Sequence, residues 1–200
     1  MIAILLIIGV LSLIAISPGE TAAKGEILKS YQGNLSEKTL RNISMYQVVG
    51  PVAETIADTV KFEAPRPNWN LKNVTIYGWD GYSGTSDTIP TRGLMVLEVR
   101  DKNLDLLYKF SDIQTPYTSY IFNISSVLFP LLIDLPEIPV SDEFYICFYD
   151  RGVVSVGFEL NNSTNSYFYD YRARMLVPAK LPTGANNTTP VQWLMTVGGS

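Results

Sequence analysis

Apolar and polar residues alternate with a period of two along much of this 200-residue chain, and that pattern confines it to strands. Leu104, Leu106, Tyr108 and Phe110 are separated by Asp105, Leu107 and Lys109. Val154, Val156, Phe158 and Leu160 alternate with Ser155, Gly157 and Glu159, and Val191, Trp193, Met195 and Val197 with Gln192, Leu194 and Thr196. A strand turns successive side chains to opposite faces, so each segment buries one face of an antiparallel sheet and wets the other. Trp193, on the apolar face of the last strand, is expected to pack between two sheets. Residues 52–62, 71–79, 94–100, 117–124 and 127–134 read as further strands, and Phe144–Tyr149 as a buried one. Turn residues separate them: Pro65-Arg66-Pro67-Asn68, Asp80-Gly81, Asp101-Lys102-Asn103, Asn161 to Asn165, and Pro182 to Pro190. Roughly ten short strands so spaced predict a mainly β fold, an antiparallel, jelly-roll-like β-sandwich over residues 45–200.

The first 44 residues follow a different pattern. Ile2 to Ile16 form an apolar run broken only by Gly9 and Ser12, with no Lys or Arg before it. As a helix it spans about 23 Å against a hydrocarbon core of about 30 Å, short for a bilayer span and suited to a signal or anchor. Residues 1–16 are therefore expected to engage a membrane. Ser17, Pro18 and Glu20 occupy the N-cap, N1 and N3 positions of a capping box. That box predicts a second helix through residues 20–31, and a helical stalk or linker over 17–44.

Lys24, Lys29, Lys38 and Arg41 follow the apolar run, which by the positive-inside rule would hold this flank in the cytoplasm. The glycosylation signals oppose that. Asn-x-Ser/Thr occurs at Asn34, Asn42, Asn73, Asn123, Asn161, Asn162, Asn186 and Asn187. Twelve Asn and 31 Ser or Thr in 200 residues would give about two such sites by chance. The excess predicts an exported, glycosylated surface, at the outer face of the cell membrane or secreted. The single Cys147 cannot form an internal disulfide and reads as a small buried hydrophobe.

Composition removes whole classes of function. The chain has no histidine, hence no Ser-His or Cys-His nucleophile pair and no imidazole metal ligand. A net charge of −4 argues against a nucleic-acid partner held through phosphates. Paired carboxylates stay open, with Asp142, Glu143 and Asp150 as candidates. Adjacent Asp142 and Glu143 point to opposite faces of a strand, so no acid/base pair arises there. The expectation is a chain that is not an enzyme.

Two candidate binding regions remain. Tyr167, Tyr169 and Tyr171 fall on one side of a strand, with Phe168 on the other, and such a row can stack sugars or peptide. The plainer account is that alternating Tyr is good strand chemistry. The loop Trp79-Asp80-Gly81-Tyr82-Ser83-Gly84-Thr85-Ser86-Asp87 places Trp79 and Tyr82 beside Asp80 and Asp87. Its carboxylates are candidate ligands for a structural Ca²⁺, although a simple hairpin connection explains the loop without one. No other cofactor is expected.

A resemblance runs through the strands. Leu71 to Gly78, Leu94 to Asp101, Leu135-Pro136-Glu137-Ile138-Pro139-Val140-Ser141 leading into Glu143 to Tyr149, Asn165-Ser166-Tyr167 and Gln192-Trp193-Leu194-Met195 follow in that order. Over about residues 50–198 the chain resembles accessory β-sandwich modules of exported archaeal and bacterial proteins, modules often C-terminal to peptidase or transglutaminase-like domains. The resemblance implies a jelly-roll fold and a non-catalytic accessory or surface role, with no defined ligand. Two expectations follow. One is an anchored or secreted surface protein that binds a neighbouring protein or polysaccharide. The other is a subunit of a pilus-like filament, self-assembled through the apolar N-terminal helix.

Overall fold

The computed structural model describes residues 25–33, 35, 44–46, 55–79, 96–111, 129–150, 155–160, 165–182 and 187–200. In chain order these carry β1 (Glu26–Lys29), β2 (Ser44–Tyr46), β3 (Ile56–Glu63), β4 (Trp69–Trp79), β5 (Val96–Asp101), β6 (Leu106–Ser111) and β7 (Phe129–Val140). They continue with β8 (Glu143–Tyr149), β9 (Ser155–Leu160), β10 (Ser166–Asp170), β11 (Met175–Pro178), β12 (Lys180–Pro182), β13 (Thr188–Trp193) and β14 (Met195–Gly199). One antiparallel sheet has six strands in the order β11-β10-β3-β8-β5-β6. The other has eight: β1-β14-β4-β9-β13-β12, with β2 also on β9 and β7 also on β4. No helix occurs among the described residues.

Alternation dictates which side chains meet. From β8, Phe144, Ile146 and Phe148 enter the main core, and Val60 and Phe62 of β3 with Leu97 and Val99 of β5 join them. The eight-stranded sheet contributes Trp69, Leu71, Val74, Ile76, Val156, Phe158, Val191, Trp193, Met195 and Val197 to the same core. In β4 the step from Leu71 to Val74 is three residues rather than two. The register against β7 shifts between Leu71 and Asn73, and this bulge keeps the apolar face turned inward. Val191, Trp193, Met195 and Val197 are all fully buried, so the last alternating segment holds one face through the break at Leu194.

Trp193 lies where the two sheets join. Its ring packs edge-on against Phe158 of its own sheet and Phe168 of the other, with centroids 6.0 and 5.5 Å apart. Its indole N–H donates to the Tyr167 carbonyl over 3.1 Å. The Ser166 hydroxyl oxygen accepts from the Trp193 amide and from Gln192 Nε2, each at 3.0 Å. Polar groups at this seam are thus satisfied across the sheets.

The expected stalk needs correction. Residues 26–29, placed in a helix by the capping box, form β1 and pair with β14 from Glu26↔Gly199 to Lys29↔Thr196. Gly25 weakens the helical segment, and a helix so short is marginal in water, so pairing with an open sheet edge prevails. Leu28 packs against the core, and Tyr31 is buried against Leu194 on the other face. The eight-stranded sheet therefore recruits residues upstream of the expected boundary at 45. The apolar run 1–16, the capping box and the expected strand 117–124 lie outside the described residues. No described helix is long and apolar enough to cross a membrane.

Two glycines make close strand contact possible. A Cβ on Gly198 would stand 2.5 Å from Oδ1 of Asn73, whose side chain lies across β14. One on Gly199 would strike the Asn70 carbonyl and the Trp69 ring.

Candidate functional site

The tyrosine row lies on the face of the six-stranded sheet that points away from the main core. There Glu98, Cys147, Thr59 and Tyr167 stand opposite one another in successive strands, with Arg100, Tyr145 and Lys61 in the next row. Thr59, Cys147 and nearby Ala57 are small, and each is fully buried. Space above them lets the Arg100 guanidinium reach across two strands to Tyr169, with its carbon 4.8 Å from the ring centroid.

The guanidinium is tied on every side. Glu98 Oε2 accepts from Arg100 Nε at 2.9 Å and Nη2 at 2.7 Å, and also from the Tyr149 hydroxyl at 3.0 Å. Arg100 Nη1 donates to the Leu104 carbonyl over 2.6 Å. Lys109 Nζ stands 3.2 Å from Glu98 Oε1. Leu104 adopts a left-handed φ of 66°, and Asp101 Oδ1 accepts the amides of Asn103 and Asp105, which shapes the turn around that carbonyl. Arg174, in the turn after β10, closes onto Asp105 at 2.8 Å.

Electrostatics follow from this closure. Burial would raise the Glu98 carboxyl, but hydrogen bonds from Arg100, Lys109 and Tyr149 and the Arg100 charge outweigh it and hold the group below its ordinary range. Burial also pushes the Cys147 thiol up to about 12 and the Tyr149 phenol well above its ordinary value. Glu98 is a fully committed carboxylate and Cys147 a protonated thiol. Neither is poised as a base or nucleophile.

The three tyrosines are not one open platform. Tyr167 and Tyr169 share the predicted face, and Phe168 points to the core as expected. Tyr169 is only 1% exposed, with its ring against Arg100, so it offers no stacking face to solvent. Tyr167 is half-buried, while Tyr171 lies beyond β10 in a turn and is exposed. Trp79 ends β4 beside Ser155 of β9. Asp80, Tyr82 and Asp87 lie outside the described residues. So do Asn34, Asn42, Asn123, Asn161, Asn162 and Asn186. Asn187 is exposed just before β13, and Asn73 is half-buried in β4. Asp142 has a φ of 55° in the turn between β7 and β8 and pairs with Lys102, while Glu143 pairs with Lys61. These two carboxylates are separately engaged.

One buried carboxylate went unread in the sequence. Asp58 faces the main core in the row Leu97, Phe148, Asp58, Phe168, Val177. It is 1% exposed, and neither carboxylate oxygen has a hydrogen-bond partner among the described residues. Burial, and then the charge of Asp150, push its carboxyl well above the ordinary range. The signal was available: Asp58 occupies the same period-two register as Val60 and Phe62, where an apolar residue belongs. No protein-family model, no curated protein and no solved structure matches the chain.

Proposed function

We propose that the chain is an exported, glycosylated cell-surface protein whose jelly-roll-like β-sandwich serves a non-catalytic binding or accessory role, anchored through residues 1–16 or secreted. The observation that carries this reading is the eightfold occurrence of Asn-x-Ser/Thr, where about two are expected by chance. The exposed position of Asn187 supports it, since an exposed side chain is what a bulky glycan requires. The absence of histidine and the closed Glu98–Arg100 network support a role outside catalysis. Native protein from a glycosylating host should exceed 22.3 kDa by intact mass and lose the excess on deglycosylation. A uniform unmodified mass in that host rejects the reading.

The filament reading draws on the uncharged run Ile2–Ile16, which has no polar face and suits packing against copies of itself. Sedimentation and electron microscopy of the native protein separate the two. Ordered fibres that vanish when residues 1–16 are removed favour the filament.

A further inference from the structure

On the outer face of the eight-stranded sheet, two residues in one row depart from strand chemistry together. Ile27, Gly198, Asn73 and Asp134 stand opposite one another in β1, β14, β4 and β7. Asparagine and glycine are both depleted in strands, and a glycine inside one often marks the close approach of a ligand. Gly198 leaves the floor bare, and the Asn73 side chain lies over it, with Nδ2 3.1 Å from where a Cβ would stand. A trough of about 340 Å³ opens here, lined by Asn73, Gly198, Gly199 and Ile27. Ile27 is 69% exposed. Glu26 and Lys72, also in the lining, are paired with Arg66 and Glu137, so the trough suits a neutral ligand with an apolar face.

Asn73-Val74-Thr75 is one of the Asn-x-Ser/Thr signals. Building on the exported, glycosylated reading above, we propose that Asn73 carries an N-linked glycan whose first sugar sits in this trough, on Gly198 and against Ile27. Nδ2 of Asn73 gives up a proton and bonds the anomeric carbon of a glycosyl phosphate donor supplied by the host. The bond from that carbon to the phosphate oxygen breaks, and the phosphate leaves with the electron pair. β14 lies far downstream of Asn73, so the amide is open to transfer until that strand pairs and half-buries it. β1 and β4 lie two strand spacings apart, about 10 Å, and with no side chain between them one pyranose ring bridges the gap. Its C–H face covers the exposed Ile27 and ties β1 to the sheet.

The test compares the full chain from a glycosylating host with the same chain from a host without N-glycosylation, by glycopeptide mass spectrometry and thermal melting. Asn73 should be occupied in most copies from the first host. Thr75→Val destroys the signal while keeping Asn73 and a β-branched strand residue, whereas Thr75→Ser keeps the signal. Thr75→Val should lose about 2–4 °C of the melting-temperature difference between the two hosts, and Thr75→Ser should retain it. Ile27→Thr, at an exposed strand position, should keep the glycan and lose the same share of that difference. A bare Asn73 beside occupied signals elsewhere overturns the proposal and leaves the export reading intact. No occupied signal at all overturns both. A glycan at Asn73 whose loss in Thr75→Val leaves the host difference unchanged places the sugar in solvent rather than in the trough, and overturns the seat.

Discussion

The two faces of the six-stranded sheet each bury a carboxylate, and they treat it in opposite ways. On the outer face Glu98 receives two bonds from Arg100, one from Tyr149 and the charge of Lys109. On the inner face Asp58 lies between Phe148 and Phe168 with no donor among the described residues. The strands are the same, so the difference lies in the neighbours that alternation supplies. Around Glu98 the outward positions are Cys147, Thr59 and Ala57, small enough for a long arginine to cross them. Around Asp58 the inward positions are large and apolar. Burial alone therefore does not set the state of a carboxylate. Neighbours that can donate do, and they drive Glu98 down and leave Asp58 up.

The largest effects should come from breaking the satisfied parts. Glu98→Ala leaves the Arg100 guanidinium buried without its anion and is expected to cost about 3–5 kcal/mol. Urea unfolding should show a lower midpoint with an unchanged slope. A loss below about 1 kcal/mol, the value of an exposed pair, would mean that water reaches the network. Opposite the inner face, in the eight-stranded sheet, Trp193→Ala removes a fully buried ring and its bond to Tyr167 and is expected to cost about 3–5 kcal/mol. An unchanged melting temperature would make Trp193 a surface aromatic and break the account of the core.

Asp58 should respond with the opposite sign. Asp58→Val removes two orphaned oxygens and supplies a β-branched residue to a central strand. Stability should rise by about 1–3 kcal/mol, the cost of an unsatisfied buried group. The pH profile sharpens the contrast. Glu98 has a depressed folded pKa, so its contribution is full above the ordinary value of 4.5 and is lost as pH falls through the lower folded value. Asp58 has a raised folded pKa, so the fold is favoured while the group is protonated. Stability declines as pH climbs from the ordinary 3.8 through the folded value. The wild type should thus lose stability on both sides of a mildly acidic optimum. Asp58→Val should flatten only the alkaline limb.

Much of this contrast could be read in the sequence, but not all of it. The alternating segment ending in Val197 predicted the inner face of β13 and β14 residue by residue, because period two is a geometric property of any strand. The tyrosine parity was equally legible. What covers Tyr169 was not, since Arg100 reaches it across two intervening strands and only the pairing register brings them together. β1 was misread because a capping box reports local preference, while the open edge of β14 is a long-range fact. Asp58 was legible in principle: a charge in the register of Val60 and Phe62 breaks the pattern that defines the strand.

The smallest expected effect concerns Cys147, which lies beneath the crossing guanidinium. Its thiol is fully buried and pushed up to about 12, chiefly by burial, so the reactive thiolate is scarce at neutral pH. A disulfide reagent should leave the native protein unlabelled over hours and modify one thiol per chain at once in denaturant. Cys147→Ala retains the low floor over which Arg100 reaches Tyr169, and is expected to cost no more than about 1 kcal/mol, the centre of the range for point substitutions. Cys147→Leu has a similar polarity but raises that floor into the path of Arg100. It should cost clearly more, because the guanidinium must leave either Glu98 or Tyr169. If the leucine variant is as stable as the alanine one, Arg100 has another route. The small residues of the outer face would then not be what separates it from the inner one.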